Sequence, residues 1–216
     1  PIQNIGAYGV EVKDTIETVE AFELATGKIV AYSNEACCFG YRDSIFKKEL
    51  KNKVIVTHVI FKLYKKPVFH IHYGAIQETL KEMGVTQPSI KAISDAVIAI
   101  RSSKLPDPAK IGNAGSFFKN PVISMETYKQ LKNKYPTAPM FPVNTAYCKI
   151  PAAWLIEQAG FKGYRKADVG CNPLQPLVLV NYGNAKGNEV VELAENIIST
   201  VYIKFHISLE PEVNIL

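Results

Sequence analysis

No stretch of this chain approaches the roughly 18 consecutive apolar residues of a membrane-spanning helix, so no segment is expected to enter a membrane. Cysteine is scarce: only Cys37, Cys38, Cys148 and Cys171 occur. An adjacent pair plus two singletons offers neither zinc-ligand spacing nor a disulfide framework. They read as reduced thiols of a cytoplasmic protein. Excess charge of one sign is also lacking. Lys and Arg number 25 against 20 Asp and Glu, a net +5, and they are scattered apart from Lys47-Lys48 and Lys65-Lys66. That pattern suits an anionic small substrate and gives no reason to expect nucleic acid. There is no internal repeat and no low-complexity segment, and no secretory leader is expected. The first residue is not Met; the chain opens on Pro1-Ile2-Gln3-Asn4-Ile5-Gly6, which reads as the inside of a domain. With an apolar run closing at Leu216, both ends are expected to be cut.

What is present is an ordinary globular composition, 47% hydrophobic and 21% charged, on a length that allows one large domain or two small ones. Residues 15–24 alternate into Ala25-Thr26-Gly27-Lys28 and a second apolar run, which predicts a β-hairpin. Residues 54–64 predict a strand with Val54, Val56, His58, Ile60 and Lys62 on one face. Helices follow at 77–83, stopped by Gly84, and at 89–101, where Ser89 can cap. Leu105-Pro106-Asp107-Pro108 then breaks the chain and marks the expected domain boundary. Beyond it, helices are predicted at 124–135 (N-cap Ser124), 151–159 (Pro at its first turn) and 188–202, with a buried strand at 177–181 and a final strand at 207–215. The expected fold class is α+β.

Several segments carry chemistry, each with a plain alternative. Gly112-Asn113-Ala114-Gly115-Ser116-Phe117-Phe118-Lys119-Asn120-Pro121 combines two permissive glycines with a hydroxyl and two donors. It lacks the Gly-Lys-Ser/Thr of a phosphate-binding Walker loop, and alone it is equally an ordinary glycine turn. Phe39-Gly40-Tyr41-Arg42-Asp43-Ser44 places an Arg that can grip a carboxylate, or pair with Asp43 at the surface. In Leu209-Glu210-Pro211-Glu212-Val213 two carboxylates share a face if the strand is regular; one can polarise a substrate, or both can be solvated. His70 and His72 are two apart, as ligands on a strand would be, but no third ligand is evident and no metal is expected.

These segments, together with Pro1 to Glu11, Lys104-Leu105-Pro106-Asp107-Pro108 and Ala153-Trp154-Leu155-Ile156-Glu157-Gln158, occur in one order. In that order the chain resembles the UDP-N-acetylenolpyruvoylglucosamine reductases, flavoenzymes of peptidoglycan precursor synthesis, over essentially all of its length. The resemblance implies tightly bound FAD, reduction by NADPH, and reduction of the enolpyruvyl C=C of UDP-N-acetylglucosamine enolpyruvate to UDP-N-acetylmuramate. It implies Ser116 as proton donor, with Arg42 and Glu212 holding and polarising the substrate carboxylate. Substrate donors would be Tyr73, Lys104, Asn120, Lys162 and Gln175, and Tyr73 points to the longer of the family's two forms. Flavin contacts would come from Ile2, Gly6, Tyr8, Gly9 and Arg101.

The implied organisation is the C-terminal portion of a vanillyl-alcohol-oxidase-type FAD-binding domain over 1–104, an α+β substrate-binding domain over 105–208, and a returning strand over 209–216 that carries Glu212. A monomeric cytoplasmic enzyme is expected. The family's N-terminal part, with its Gly-Ser-Asn pyrophosphate cradle, has no counterpart in these residues, so the fragment alone is expected to be inactive. Two departures from the family pattern stand out: Cys171-Asn172-Pro173-Leu174 before Gln175, and Asn214 after Pro-Glu-Val. Two other readings remain open, a non-catalytic sugar-nucleotide-binding module and another flavin oxidoreductase of the same fold.

Overall fold

The structure, a computed structural model, describes residues 1–72 and 75–215. The chain forms two compact units, Pro1–Ile100 and Arg101–Leu216.

Unit 1 begins with a tight hairpin, β1 (Gly6–Ala7) and β2 (Val10–Glu11). Tyr8 and Gly9 lie at its turn with φ of 55° and 80°. Two successive positive φ values are what a two-residue hairpin loop of matched twist requires. Next comes an antiparallel sheet of β3 (Ile16–Glu23), β4 (Lys28–Ser33) and β5 (Val54–Phe61), in the order β4-β3-β5. The predicted hairpin is present. The predicted face of β5 is only half right. The β3–β5 register shifts where Glu20 pairs with His58 and Ala21 with Val56, so Thr57 is an extra residue. After it the inward face passes to Val59, and His58 and Ile60 turn outward. Helices α1 (Ile76–Glu82) and α2 (Ile90–Lys104) follow. As predicted, Ser89 caps α2, its Oγ accepting from the Ala92 N–H at 3.1 Å. Two buried clusters hold this unit, one around Val19, Ala21 and Phe46 on the sheet, the other joining Ile76 and Leu80 to Ala96 and Ile100.

Unit 2 contains the antiparallel sheet β10 (Arg165–Lys166), β11 (Val169–Cys171), β12 (Val178–Asn181) and β6 (Gly112–Ser116), in that spatial order. A small second sheet runs β7 (Val122–Ser124), β9 (Tyr147–Lys149), β8 (Phe141–Pro142). Helices α3 (Met125–Lys134), α4 (Ala152–Gln158) and α5 (Gly187–Phe205) complete it. Helix α5 packs on β11 and β12. Leu193, Ile197, Val201 and Phe205 recur every fourth residue and are all buried, the stripe an amphipathic helix lays on a core. Burial of each such side chain contributes about 1.5–3 kcal/mol.

The final strand expected at 207–215 does not form. The segment keeps the alternation of a strand, with Ile207 and Leu209 buried. It pairs only at one isolated bridge, Phe118 with Pro211. Pro211 has no N–H to give to a ladder. The fold is α+β, as expected.

Candidate functional site

The stretch from Gly112 to Ser116, expected as a glycine loop, is an edge strand interrupted by a bulge. Ser116 pairs with Val178 and Asn113 with Val180, so Ala114 and Gly115 together face Leu179. Gly115 has φ of 74°, a backbone that glycine adopts without strain. The Asn113 side chain shapes the bulge: its Oδ1 accepts from the Gly115 N–H at 3.0 Å and its Nδ2 donates to the Ile111 carbonyl at 2.9 Å. Bulges of this kind bend a strand and re-aim the side chain that follows. That side chain is Ser116, which is exposed. Immediately after it Phe117 and Phe118 are buried, their ring centroids 5.1 Å apart. Ser116 is thus an exposed hydroxyl on a backbone held by the bulge before it and the buried Phe pair after it.

The returning segment lies directly beside this anchor. The Glu212 N–H donates to the Phe117 carbonyl at 2.8 Å, and the Lys119 N–H donates to the Glu210 carbonyl at 2.9 Å. Antiparallel register therefore sets Glu212 opposite Phe117, one residue from Ser116. Lys119 Nζ also meets Glu210 Oε1 at 2.5 Å. Neither this ion pair nor the bulge was singled out in the sequence. The glycine inside an alternating stretch is the signal that could have revealed the bulge.

The other expected residues of unit 2 have varied surroundings. Asn120 Oδ1 accepts from the Ala152 N–H at 2.8 Å, satisfying one of the orphan donors at the start of α4. Lys162 pairs with Glu157 at 2.7 Å, both partly exposed. Gln175 Oε1 is buried with no hydrogen-bond partner among the described residues. The departing segment before it is a turn built by Asn172, whose Oδ1 accepts from the N–H groups of Leu174 and Gln175 at 2.9 and 2.8 Å. Arg101 and Lys104 are exposed in the last turn of α2. A cleft of about 560 Å³ opens there, lined by Arg101, Asp107, Lys110, Asn113 and Gly115 among others. Its size suits a small ligand, and its far wall is the bulge that precedes Ser116.

In unit 1, Arg42 has φ of 55°. Its Nη1 donates to the Asn4 carbonyl at 3.2 Å and its Nη2 to the Gly6 carbonyl at 2.7 Å. Asp43, the alternative surface partner, holds Lys48. Asn4, unnoticed in the sequence, is the hub: fully buried, it donates to Glu11 and to the Gly40 carbonyl and accepts from the Lys13 N–H. Arg42 and Asn4 together brace the residue 6–11 hairpin. A Cβ on Gly6 would meet Glu11 Cγ and the Val10 carbonyl at 2.9 Å. The hairpin itself therefore requires that glycine. Ile2 packs on the sheet cluster and Tyr8 on the α1–α2 cluster. Tyr73 lies outside the described residues. Neither His70 nor His72 is on a strand; His72 lies in a turn and His70 in the irregular segment before it. Among the described residues no group of three or more His, Cys, Asp or Glu could hold a metal, and no helix is long and apolar enough to cross a membrane. Burial pushes the Cys171 thiol up to about 12 and, with Cys38 nearby, the Cys37 thiol up to about 11.

Comparison with known proteins bears on these elements directly. The sequence profile of the UDP-N-acetylenolpyruvoylglucosamine reductase C-terminal domain matches residues 107–216, just over half of the chain. The chain belongs to the UDP-N-acetylenolpyruvoylglucosamine reductase family. Proteins of that name are 56% identical in Amoebophilus asiaticus and 46% identical in Flavobacterium johnsoniae, each over 100% of this chain and 64% of the relative's length. The chain thus spans somewhat under two thirds of these curated family members. A crystal structure of the reductase from Thermus caldophilus shares the fold, with a TM-score of 0.60 at 24% identity, covering 98% of this chain and 57% of that one. The matched profile takes in the bulge, Ser116, the buried Phe pair and the returning segment with Glu212.

Proposed function

We propose that this chain carries the substrate-handling and proton-donating part of a UDP-N-acetylenolpyruvoylglucosamine reductase, which uses NADPH and FAD to convert UDP-N-acetylglucosamine enolpyruvate to UDP-N-acetylmuramate in the cytoplasm, as a monomer. The observation that carries this reading is the hydrogen bond from the Glu212 N–H to the Phe117 carbonyl. It fixes a carboxylate-bearing segment one residue from an exposed serine hydroxyl, inside the part of the chain the family profile covers.

Residues 1–104 are proposed to complete a FAD-binding domain and residues 105–208 to form the substrate domain. The residue 6–11 hairpin exposes Ala7, Gly9 and Val10 at its turn, open backbone that suits close approach of a flavin, and Arg101 is exposed in its own unit. Ile2, Gly6, Tyr8, Gly9 and Arg101 would hold the group. Bound FAD supplies a hydride drawn from NADPH.

The chain's own residues supply the rest. Ser116 Oγ donates a proton to the substrate carbon next to the one that is reduced. A hydroxyl is a weak acid, so its effectiveness rests on placement, which the bulge and the buried Phe pair provide. Glu212 and Arg42 orient and polarise the enolpyruvyl carboxylate, where fixed groups stabilise developing charge. Tyr73, Lys104, Asn120, Lys162 and Gln175 bind the sugar nucleotide. An unbonded buried acceptor costs about 1–3 kcal/mol, and a substrate donor would satisfy the orphan Gln175 Oε1.

Ser116→Ala in the holoenzyme that carries residues 1–216 tests the reading. Stopped-flow absorbance should show flavin reduction by NADPH unchanged. Reoxidation by the enolpyruvyl substrate should slow by about 10²–10⁴-fold, the usual contribution of a positioned general acid. Unchanged reoxidation would exclude Ser116 as the donor.

A further inference from the structure

We infer that the Lys119–Glu210 ion pair is a positioning device for the reaction, a clasp that holds the returning segment beyond the buried Leu209 and so sets the place of Glu212 opposite Phe117. The inference rests on the function proposed above. The returning segment is anchored at its start in the core of unit 2 by Ile207 and Leu209. It forms one bridge, at Phe118–Pro211, flanked by two backbone hydrogen bonds, Lys119 N–H to Glu210 and Glu212 N–H to Phe117. A one-residue slip of such a pairing turns every side chain to the other face. Here that slip would move Glu212 off its face.

Lys119 and Glu210 face each other across the pairing, and their side chains meet at 2.5 Å. The Lys119 side chain is only 14% exposed, whereas that of Glu210 is 70% exposed. The lysine stem is packed in place and the glutamate comes to it. The strand face is shared: antiparallel partners directly opposite point the same way, so Lys119–Glu210 and Phe117–Glu212 lie on one face two residues apart. The order along the chain is therefore donor Ser116, anchor Phe117-Phe118, clasp Lys119, with the partner strand running from Glu210 to Glu212.

Two measurements test the clasp. In the first, the residue 1–216 chain carrying Lys119→Met keeps an unbranched apolar stem and loses the charge. Amide hydrogen exchange at Glu212 should rise about tenfold, a local opening, while exchange in α5 stays the same. In the second, the holoenzyme carries the same substitution. Flavin reoxidation by substrate should slow about 10- to 100-fold, the loss expected from a misplacement near 1 Å, with reduction by NADPH unchanged. Lys119→Arg, and the charge swap Lys119→Glu with Glu210→Lys, should each restore most of the rate. Glu212→Gln run alongside separates the two ideas. If it leaves reoxidation intact, the proposed function fails. If it slows reoxidation but Lys119→Met changes neither exchange nor rate, or the charge swap fails to rescue, the clasp is wrong.

Discussion

Cys171 occupies the last position of β11, fully buried, with its thiol pushed up by burial to about 12; Cys37 is also buried and reaches about 11. Burial disfavours the thiolate, so the folded state keeps these protons to higher pH than the unfolded chain does. Above the ordinary thiol value of 9.0 the unfolded state binds fewer protons, and by linkage stability falls as pH rises. The loss runs from 9.0 to about 11 for Cys37 and from 9.0 to about 12 for Cys171. Urea denaturation between pH 8 and 11 should show a declining free energy, with a shallower decline in Cys171→Ala; equal slopes would remove Cys171 as a cause. At pH 8 a thiol reagent should label the exposed Cys38 first. At this scale the sequence was only partly readable. It named the cysteines as reduced thiols, but the burial of Cys37, Cys148 and Cys171 depends on neighbours distant in the chain, which their spacing does not display. Arg42 was singled out for its chemistry, yet the two of its nitrogens bonded to the Asn4 and Gly6 carbonyls show a backbone brace that only long-range pairing could create.

Elements were most legible where they start and stop. Ser124 was expected to cap α3, and its Oγ accepts from the Thr127 N–H at 3.0 Å, with Glu126 in the first turn. Ser124→Ala should therefore destabilise by about 1 kcal/mol, read as a lower urea midpoint with unchanged slope; a Thr replacement should recover most of it. Helix caps are local chemistry over three or four residues, so a sequence displays them. Strands fared worse at every bulge. The extra Thr57 on β5 took His58 and Ile60 off the face on which they were predicted with Val54 and Val56. The extra residue at Ala114–Gly115 made a strand of what read as a loop. Pro211 reduced a predicted strand to a bridge. A bulge depends on the partner strand, which lies about 60 residues away for β6 and β12, and nothing local encodes it. Ser116, the residue most visible in the sequence, takes its setting from that least visible feature.

For the whole molecule, the two units are unequally built. Among the described residues, the core cluster of unit 2 joins twenty buried residues, whereas the two clusters of unit 1 hold five and four. The outer face of the β4-β3-β5 sheet leaves Ile29 62% and Ile55 57% exposed. Apolar burial scales with stability at about 25 cal/mol per Å², so unit 2 should outlast unit 1. Charge is divided as unevenly. Unit 2 has thirteen Lys and Arg against nine Asp and Glu, and unit 1 twelve against eleven, which puts most of the positive charge in the unit proposed to bind a diphosphate. The single Trp makes the stability difference measurable. Trp154 lies in unit 2, 5.9 Å from the Tyr135 ring and 5.8 Å from the Phe205 ring, both packed with the large cluster. Its emission reports unit 2 alone, while far-ultraviolet circular dichroism reports both units. In a urea titration, part of the dichroism should be lost before the Trp154 emission shifts to the red. Trypsin added at the plateau between the two should cut after Lys62 or Lys65, which are exposed in unit 1, and leave a resistant fragment containing Trp154. Coincident transitions by the two probes would mean that the units unfold as one, and the cluster sizes would then say nothing about which part of the molecule opens first.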